Sequence, residues 1–314
     1  MLAINRVWLV IGAVVWLLSG CTTDRHSEQV TMMSAEDMNS PVLAIDVTDQ
    51  GVMKVTGLQG VRPLAVTEDE RQVVLLGEAF VARNGLPLDA RRLPQEVSRS
   101  NNHPLIAVVS GAAETLLGQS STMEQWLPEL RRAELELNTF HQQQEKGPRD
   151  RFVPYVLSSD SDYPSAKVLI KTAVMRGDKP SGLYDLEDIR LLSCLDGHKN
   201  ISGLSLEEMS GLNANLHCHT QWSGNGDLKT PRVNAVVTVS SDRTQSFDAL
   251  SRSAAEAAME QQFTRLLRQL QEQRVDPLDV GQVIRAQYRG VWTTDRWRLA
   301  FSRADIHVNV RLKT

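Results

Sequence analysis

Cysteine is scarce in this 314-residue chain, with three residues at 21, 194 and 218. That excludes a disulfide-dense mini-protein. A basic excess is also missing. Lys+Arg 34 against Asp+Glu 38 gives a net charge of −4 and a pI near 6.0, which argues against nucleic acid as a partner. No stretch reaches the ~18 consecutive apolar residues of a membrane-spanning helix. The G-x-S-x-G nucleophile elbow and the H-E-x-x-H zinc motif are absent too. What is present is ordinary globular usage, 41% hydrophobic and 23% charged, so disordered and fibrous classes are excluded. At roughly 150 residues per domain the length alone suggests about two domains.

The first twenty residues read as a removable address. Arg6 supplies a short positive region, and Val7 to Leu18 form an apolar run of signal-peptide length. Leu18-Ser19-Gly20-Cys21 closes it and resembles a bacterial lipobox. There the cysteine thiol receives a diacylglyceryl group and becomes the first mature residue. Residues 1–20 are therefore expected as a lipoprotein signal peptide, and 21–40, polar and weakly patterned, as a tether. Cleavage removes Arg6 and leaves the mature chain more negative still. Attraction of a polybasic segment to anionic lipid is therefore not what holds it; the acyl chains are.

Short apolar runs at 72–76 (QVVLL) and 105–110 (LIAVVS) suit buried strands. Pro41–Asp46, Val52–Leu58, Lys167–Met175 and Ile189–Leu195 are also expected as strands, and Thr122–Lys146 as a helix. Residues 142–151 (QQQEKGPRDR) mark the best boundary in the chain. Leu212–Trp222 and Arg232–Ser240 form a hairpin candidate. A long helix is expected over 247–273, where Ala255, Met259, Phe263, Leu266 and Leu270 make one apolar stripe. Asp276-Pro277 reads as N-cap and first residue of a further helix. Asp305–Leu312 alternates strictly, as a half-buried strand does. The class is α+β, or mixed α/β, with a long helix near the C-terminus.

The densest group of metal-ligand types is Cys194, His198, His217, Cys218 and His219. On a strand His217 and His219 share one face while Cys218 points to the other, so the three cannot converge on one ion. A two-histidine site with His198 is the alternative left. Cys194 and Cys218 are expected as buried thiols, with a mutual disulfide as the alternative that the compartment permits. Asp160-Ser161-Asp162 lacks the glycine and glutamate of a calcium loop and reads as a polar turn. Nothing requires catalysis.

The final forty residues carry a resemblance. Asp276-Pro277-Leu278-Asp279-Val280-Gly281, then Tyr288, Trp292, Trp297 and the closing strand, together with the lipobox, resemble the Ger(x)C family. Those proteins are lipoprotein C subunits of bacterial spore germinant receptors. Val73–Glu78, Val108–Leu117 and Ala173–Leu183 agree with the family in order and spacing. Asp279 stands where the family usually has glycine. The resemblance implies three small mixed α/β domains, here 41–150, 151–200 and 201–314. It implies no enzyme activity and no cofactor beyond the lipid on Cys21. It further implies the outer face of the spore inner membrane as location, and polytopic A and B subunits as partners. Asp276, Gly281, Trp292 and Trp297 are its signature residues, expected to serve packing or an interface. Gly281 costs ~1 kcal/mol against alanine in a helix, so a close approach by another element is expected there. Trp292 and Trp297, five apart, are not on one helical face; one is expected in the core and one directed outward. The alternatives are an extracytoplasmic hydrolase using His217 or His219, or a solute-binding lipoprotein.

Overall fold

The structure, a computed structural model, describes residues 40, 42–48, 52–57, 71–87, 104–118, 123–141, 150–157, 168–177, 179–197, 216–241 and 249–313. Cys21, His198, the Asp160–Asp162 turn, and the leader and tether lie outside them.

A seven-stranded sheet takes the order β2-β1-β3-β4-β5-β6-β7. Its strands are β1 (Val42–Val47), β2 (Met53–Gly57), β3 (Val73–Gly77), β4 (Leu105–Val109), β5 (Arg151–Leu157), β6 (Leu169–Arg176) and β7 (Lys179–Tyr184). The central strands β1, β3, β4 and β5 run parallel, and β2, β6 and β7 are antiparallel margins. Parallel strands covered on both faces read as unbroken apolar runs, and VVLL and LIAVV do so here. Leu43, Ile45, Val74 and Leu76 face α1 (Glu78–Asn84) through Phe80 and Val81. Val42, Ala44, Val73 and Leu75 face the other way. They pack on Leu116 of α2 (Ala113–Gly118) and on Trp126 and Leu130 of α3 (Met123–His141). Residues 151–184, placed in a middle domain by the sequence, extend this same sheet.

One expected strand is a helix. Ile189–Leu195 lies within α4 (Leu186–Leu195), started by a reciprocal capping box between Asp185 and Asp188. Every residue from 189 to 195 is buried, and for so short a buried run periodicity cannot separate strand from helix. The strand partner of β6 comes instead directly after the turn, as β7.

The C-terminal part holds a three-stranded sheet ordered β10-β9-β8. The hairpin β8 (Leu216–Gly224) and β9 (Arg232–Ser241) is antiparallel, and β10 (Asp305–Lys313) joins β9 in parallel. The long helix is α5 (Ala249–Gln273), and its stripe Ala255, Met259, Phe263, Leu266 and Leu270 is buried. Two of its carboxylates act as a surrogate strand for the β10 edge. Glu260 accepts from the Val310 N–H at 2.9 Å, and Glu256 accepts from the Leu312 N–H at 2.8 Å. Such capping blunts an open edge. Two short helices, α6 (Gly281–Arg285) and α7 (Thr294–Phe301), close the core. Among the described residues no helix is long and apolar enough to cross a membrane.

Candidate functional site

The signature residues converge on one buried carboxylate. Asp276 is 7% exposed and sits on the turn between α5 and α6. The expected helix does not open at Pro277: a turn intervenes, Asp279 adopts φ +53°, and α6 begins at Gly281. The carboxylate nevertheless serves that helix start. Its Oδ1 accepts from the Val280 N–H at 3.0 Å, and its Oδ2 from the Gly281 N–H at 2.9 Å. A helix N-terminus has unpaired N–H groups, and Asp276 satisfies two of them from four and five residues upstream.

Oδ2 also accepts from Trp297 Nε1 of α7 at 2.7 Å. The indole lies against Gly281, where an added Cβ would sit 2.6 Å from that nitrogen. The expected close approach at Gly281 is therefore Trp297. Trp292 stacks on Trp297 with centroids 5.5 Å apart and meets Tyr288 edge-on at 6.2 Å. Trp292 is partly buried rather than directed outward, because the chain folds back between α6 and α7.

The knot reaches the large sheet. The Asp276 N–H donates to Asp150 Oδ2 at 2.9 Å, and Arg298 of α7 pairs with Asp150 Oδ1. Asp150, itself 6% exposed, immediately precedes β5, so one carboxylate ties the seven-stranded sheet to the C-terminal closure. Nothing in sequence spacing pointed to Asp150. Burial pushes the Asp276 carboxyl up to about 6, against the lowering effect of its three N–H donors, with Asp279 adding to the rise. Both of its oxygens are engaged by protein donors, one on Oδ1 and two on Oδ2. This is the geometry of a structural tie and offers no open position for a substrate.

A second tie sits at the carboxyl ends of the parallel strands. Asp46 caps α2 by accepting from the Ala113 and Glu114 N–H groups at 2.9 and 2.8 Å. Gly77 leaves room for it, since a Cβ there would lie 2.0 Å from Asp46 Oδ1. Glu78 accepts from the Tyr155 hydroxyl. Burial first, and this acceptor second, push the Tyr155 hydroxyl well above its usual range.

Of the two alternatives for the cysteines, the structure has the disulfide. Cys194 and Cys218 are bonded with Cα atoms 5.2 Å apart, both essentially buried. The bond joins α4 to β8. His219 stands exposed on the outer face of β8, its Nε2 3.2 Å from Gln221 Nε2. No group of three or more His, Cys, Asp or Glu suited to a metal occurs among the described residues.

Residues 170–314 match a family model described as "Spore germination B3/ GerAC like, C-terminal". That span contains Asp276, Gly281, Trp292 and Trp297, both short helices and both halves of the disulfide. Over residues 170–314 this chain is similar to that family's C-terminal domain. Among solved structures, the "Crystal Structure of the GerBC protein" is similar at 15% identity and a TM-score of 0.48, covering 86% of this chain and 96% of that one. No curated protein matches.

Proposed function

We propose that this chain is a Ger(x)C protein, a non-catalytic lipoprotein carried by a diacylglyceryl group on Cys21 at the outer face of the spore inner membrane. There it assembles with polytopic A and B subunits, and its folded body is needed for the receptor to respond to nutrients. The observation that carries the reading is the C-terminal family domain over 170–314. The anchor rests on Leu18-Ser19-Gly20-Cys21. Two acyl chains supply the two hydrophobic signals that stable anchoring needs, at ~0.8 kcal/mol per buried CH₂. The three hydrogen bonds that the buried Asp276 carboxylate accepts within the protein support a structural role for the signature residues. The exposed setting of His219 counts against the hydrolase alternative.

The test is Cys21→Ala in the native chain, followed by membrane fractionation of spores and by nutrient-triggered germination. Loss of both membrane association and germination is the expected result. Normal germination with unanchored protein would overturn the proposal.

A further inference from the structure

Between 282 and 303 the chain carries five arginines, Arg285, Arg289, Arg296, Arg298 and Arg303, against one carboxylate, Asp295. The whole chain is net negative at −4, so this short segment opposes the sign of the rest. Arg298 is engaged with Asp150, and Arg303 donates to the Leu228 carbonyl at 3.0 Å. Arg285, Arg289 and Arg296 are exposed and have no ion-pair partner among the described residues.

The same segment holds two of the large apolar side chains that face solvent, Val291 at 68% and Leu299 at 51% exposure. Val291, Arg296 and Leu299 form one surface, with Arg285 and Arg289 exposed a few residues before it. Arg296 Nη1 donates to the Val291 carbonyl at 3.1 Å, and Arg296 and Leu299 are neighbours three apart on α7. Beneath them Tyr288 and Trp292 are partly exposed and pack inward on the core. Trp297 and Asp276 fix this loop from below.

We infer that the α6–α7 face, through Arg285, Arg289, Arg296, Val291 and Leu299, lies in the headgroup layer of an anionic bilayer. Charge complementarity selects the occupant: unpaired arginines on an acidic protein match an anionic lipid surface. Isolated aliphatic tips flanked by arginine and partly exposed aromatic rings match the composition of interfacial anchors. Each arginine near such a surface is worth about fivefold in partition. The inference rests on the membrane location proposed above and is independent of the lipid itself. The acyl chains hold the protein, and this face sets which side of the body meets the membrane.

The test uses the mature-length chain with Cys21→Ala, so that no lipid contributes. Its co-sedimentation is measured with vesicles of phosphatidylglycerol and phosphatidylcholine in equal parts, and with phosphatidylcholine alone. Binding to the anionic vesicles only, weakening with salt, is expected. The triple change R285A/R289A/R296A, all on exposed side chains, should lower partition by about a hundredfold. V291S/L299S should weaken binding with the salt dependence unchanged. Equal partition of the parent and the triple variant would overturn the proposal. So would absence of vesicle binding alongside capture of an acidic polypeptide by the same arginines. Mass determination of the native N-terminus reports lipidation separately, so failure of this surface and failure of the anchor are distinguishable.

Discussion

Gly281→Ala sets two physical effects of opposite sign against each other. Alanine is favoured over glycine inside a helix by up to ~1 kcal/mol, and Gly281 has no positive φ to lose. Propensity alone therefore says that the change stabilises. Packing says the reverse. The new Cβ would meet Trp297 Nε1, Cε2 and Cδ1 at 2.6, 2.8 and 2.9 Å, so the indole must move. That nitrogen is held 2.7 Å from the buried Asp276 carboxylate. Overpacking costs ~1–3 kcal/mol, and a lost hydrogen bond to a buried charge costs ~1.5–3 kcal/mol. Because one displacement produces both losses, they overlap. Subtracting propensity leaves a net destabilisation of about 2–4 kcal/mol. Urea unfolding of the chain without residues 1–20 measures it, read as a shift in midpoint at constant slope. A double-mutant cycle with Trp297→Leu isolates the contact, and the coupling should exceed ~1 kcal/mol. A Gly281→Ala protein as stable as the parent, or more stable, would refute the reasoning.

Burial pushes the Asp276 carboxyl up to about 6 in the folded protein, above its ordinary value of 3.8. Since the folded value is the higher, the native state holds the proton more tightly. This group's contribution to stability is therefore largest below ~4 and is lost as pH rises through ~6, by up to ~3 kcal/mol. Other carboxylates act in the same range, so the difference between the parent and Asp276→Asn is the quantity to measure. Urea midpoints at pH 4.5 and 7.5 should show the asparagine protein lacking that component; identical pH profiles would count against it. Asp279→Gly should be neutral to stabilising by up to ~1 kcal/mol, because φ +53° suits glycine. It should also lower the Asp276 pKa by removing a neighbouring charge, and a clear loss of stability in thermal melts would contradict this. The Cys194–Cys218 bond spans 24 residues of sequence, which the loop-entropy estimate values at roughly 3 kcal/mol. Cys194→Ala/Cys218→Ala should unfold earlier in urea by that order, and mild reductant should leave the native bond intact because both sulfurs are buried. Rapid reduction in the folded state would sink that expectation.

The sequence carries local information well and distant information poorly, and the differences here follow that line. The α5 stripe and the alternation of β10 depend on neighbours three, four or two apart, and both are as expected. Gly281 was legible as a close approach because a glycine at a helix start costs stability unless something fills its space. Which side chain fills it was not legible, since Trp297 arrives through a fold-back that no periodicity encodes. Asp150 lies 126 residues from Asp276 and looked like part of a polar boundary. Ile189–Leu195 reads as a strand because complete burial erases the difference between two periods, and the Asp185–Asp188 capping box is the local mark of a helix. Net charge does not reveal the basic face because it averages over the chain, whereas the arginines gather within about twenty residues of it.

A protein that works as an assembled receptor subunit, as proposed above, is recovered with its companions. A tagged native chain should be purified from spore membranes under mild detergent and probed for its companions. The account predicts that A-type and B-type polytopic subunits copurify in fixed proportion, and that lipid is found on Cys21. Recovery of the chain alone from membranes that contain both subunits would contradict it.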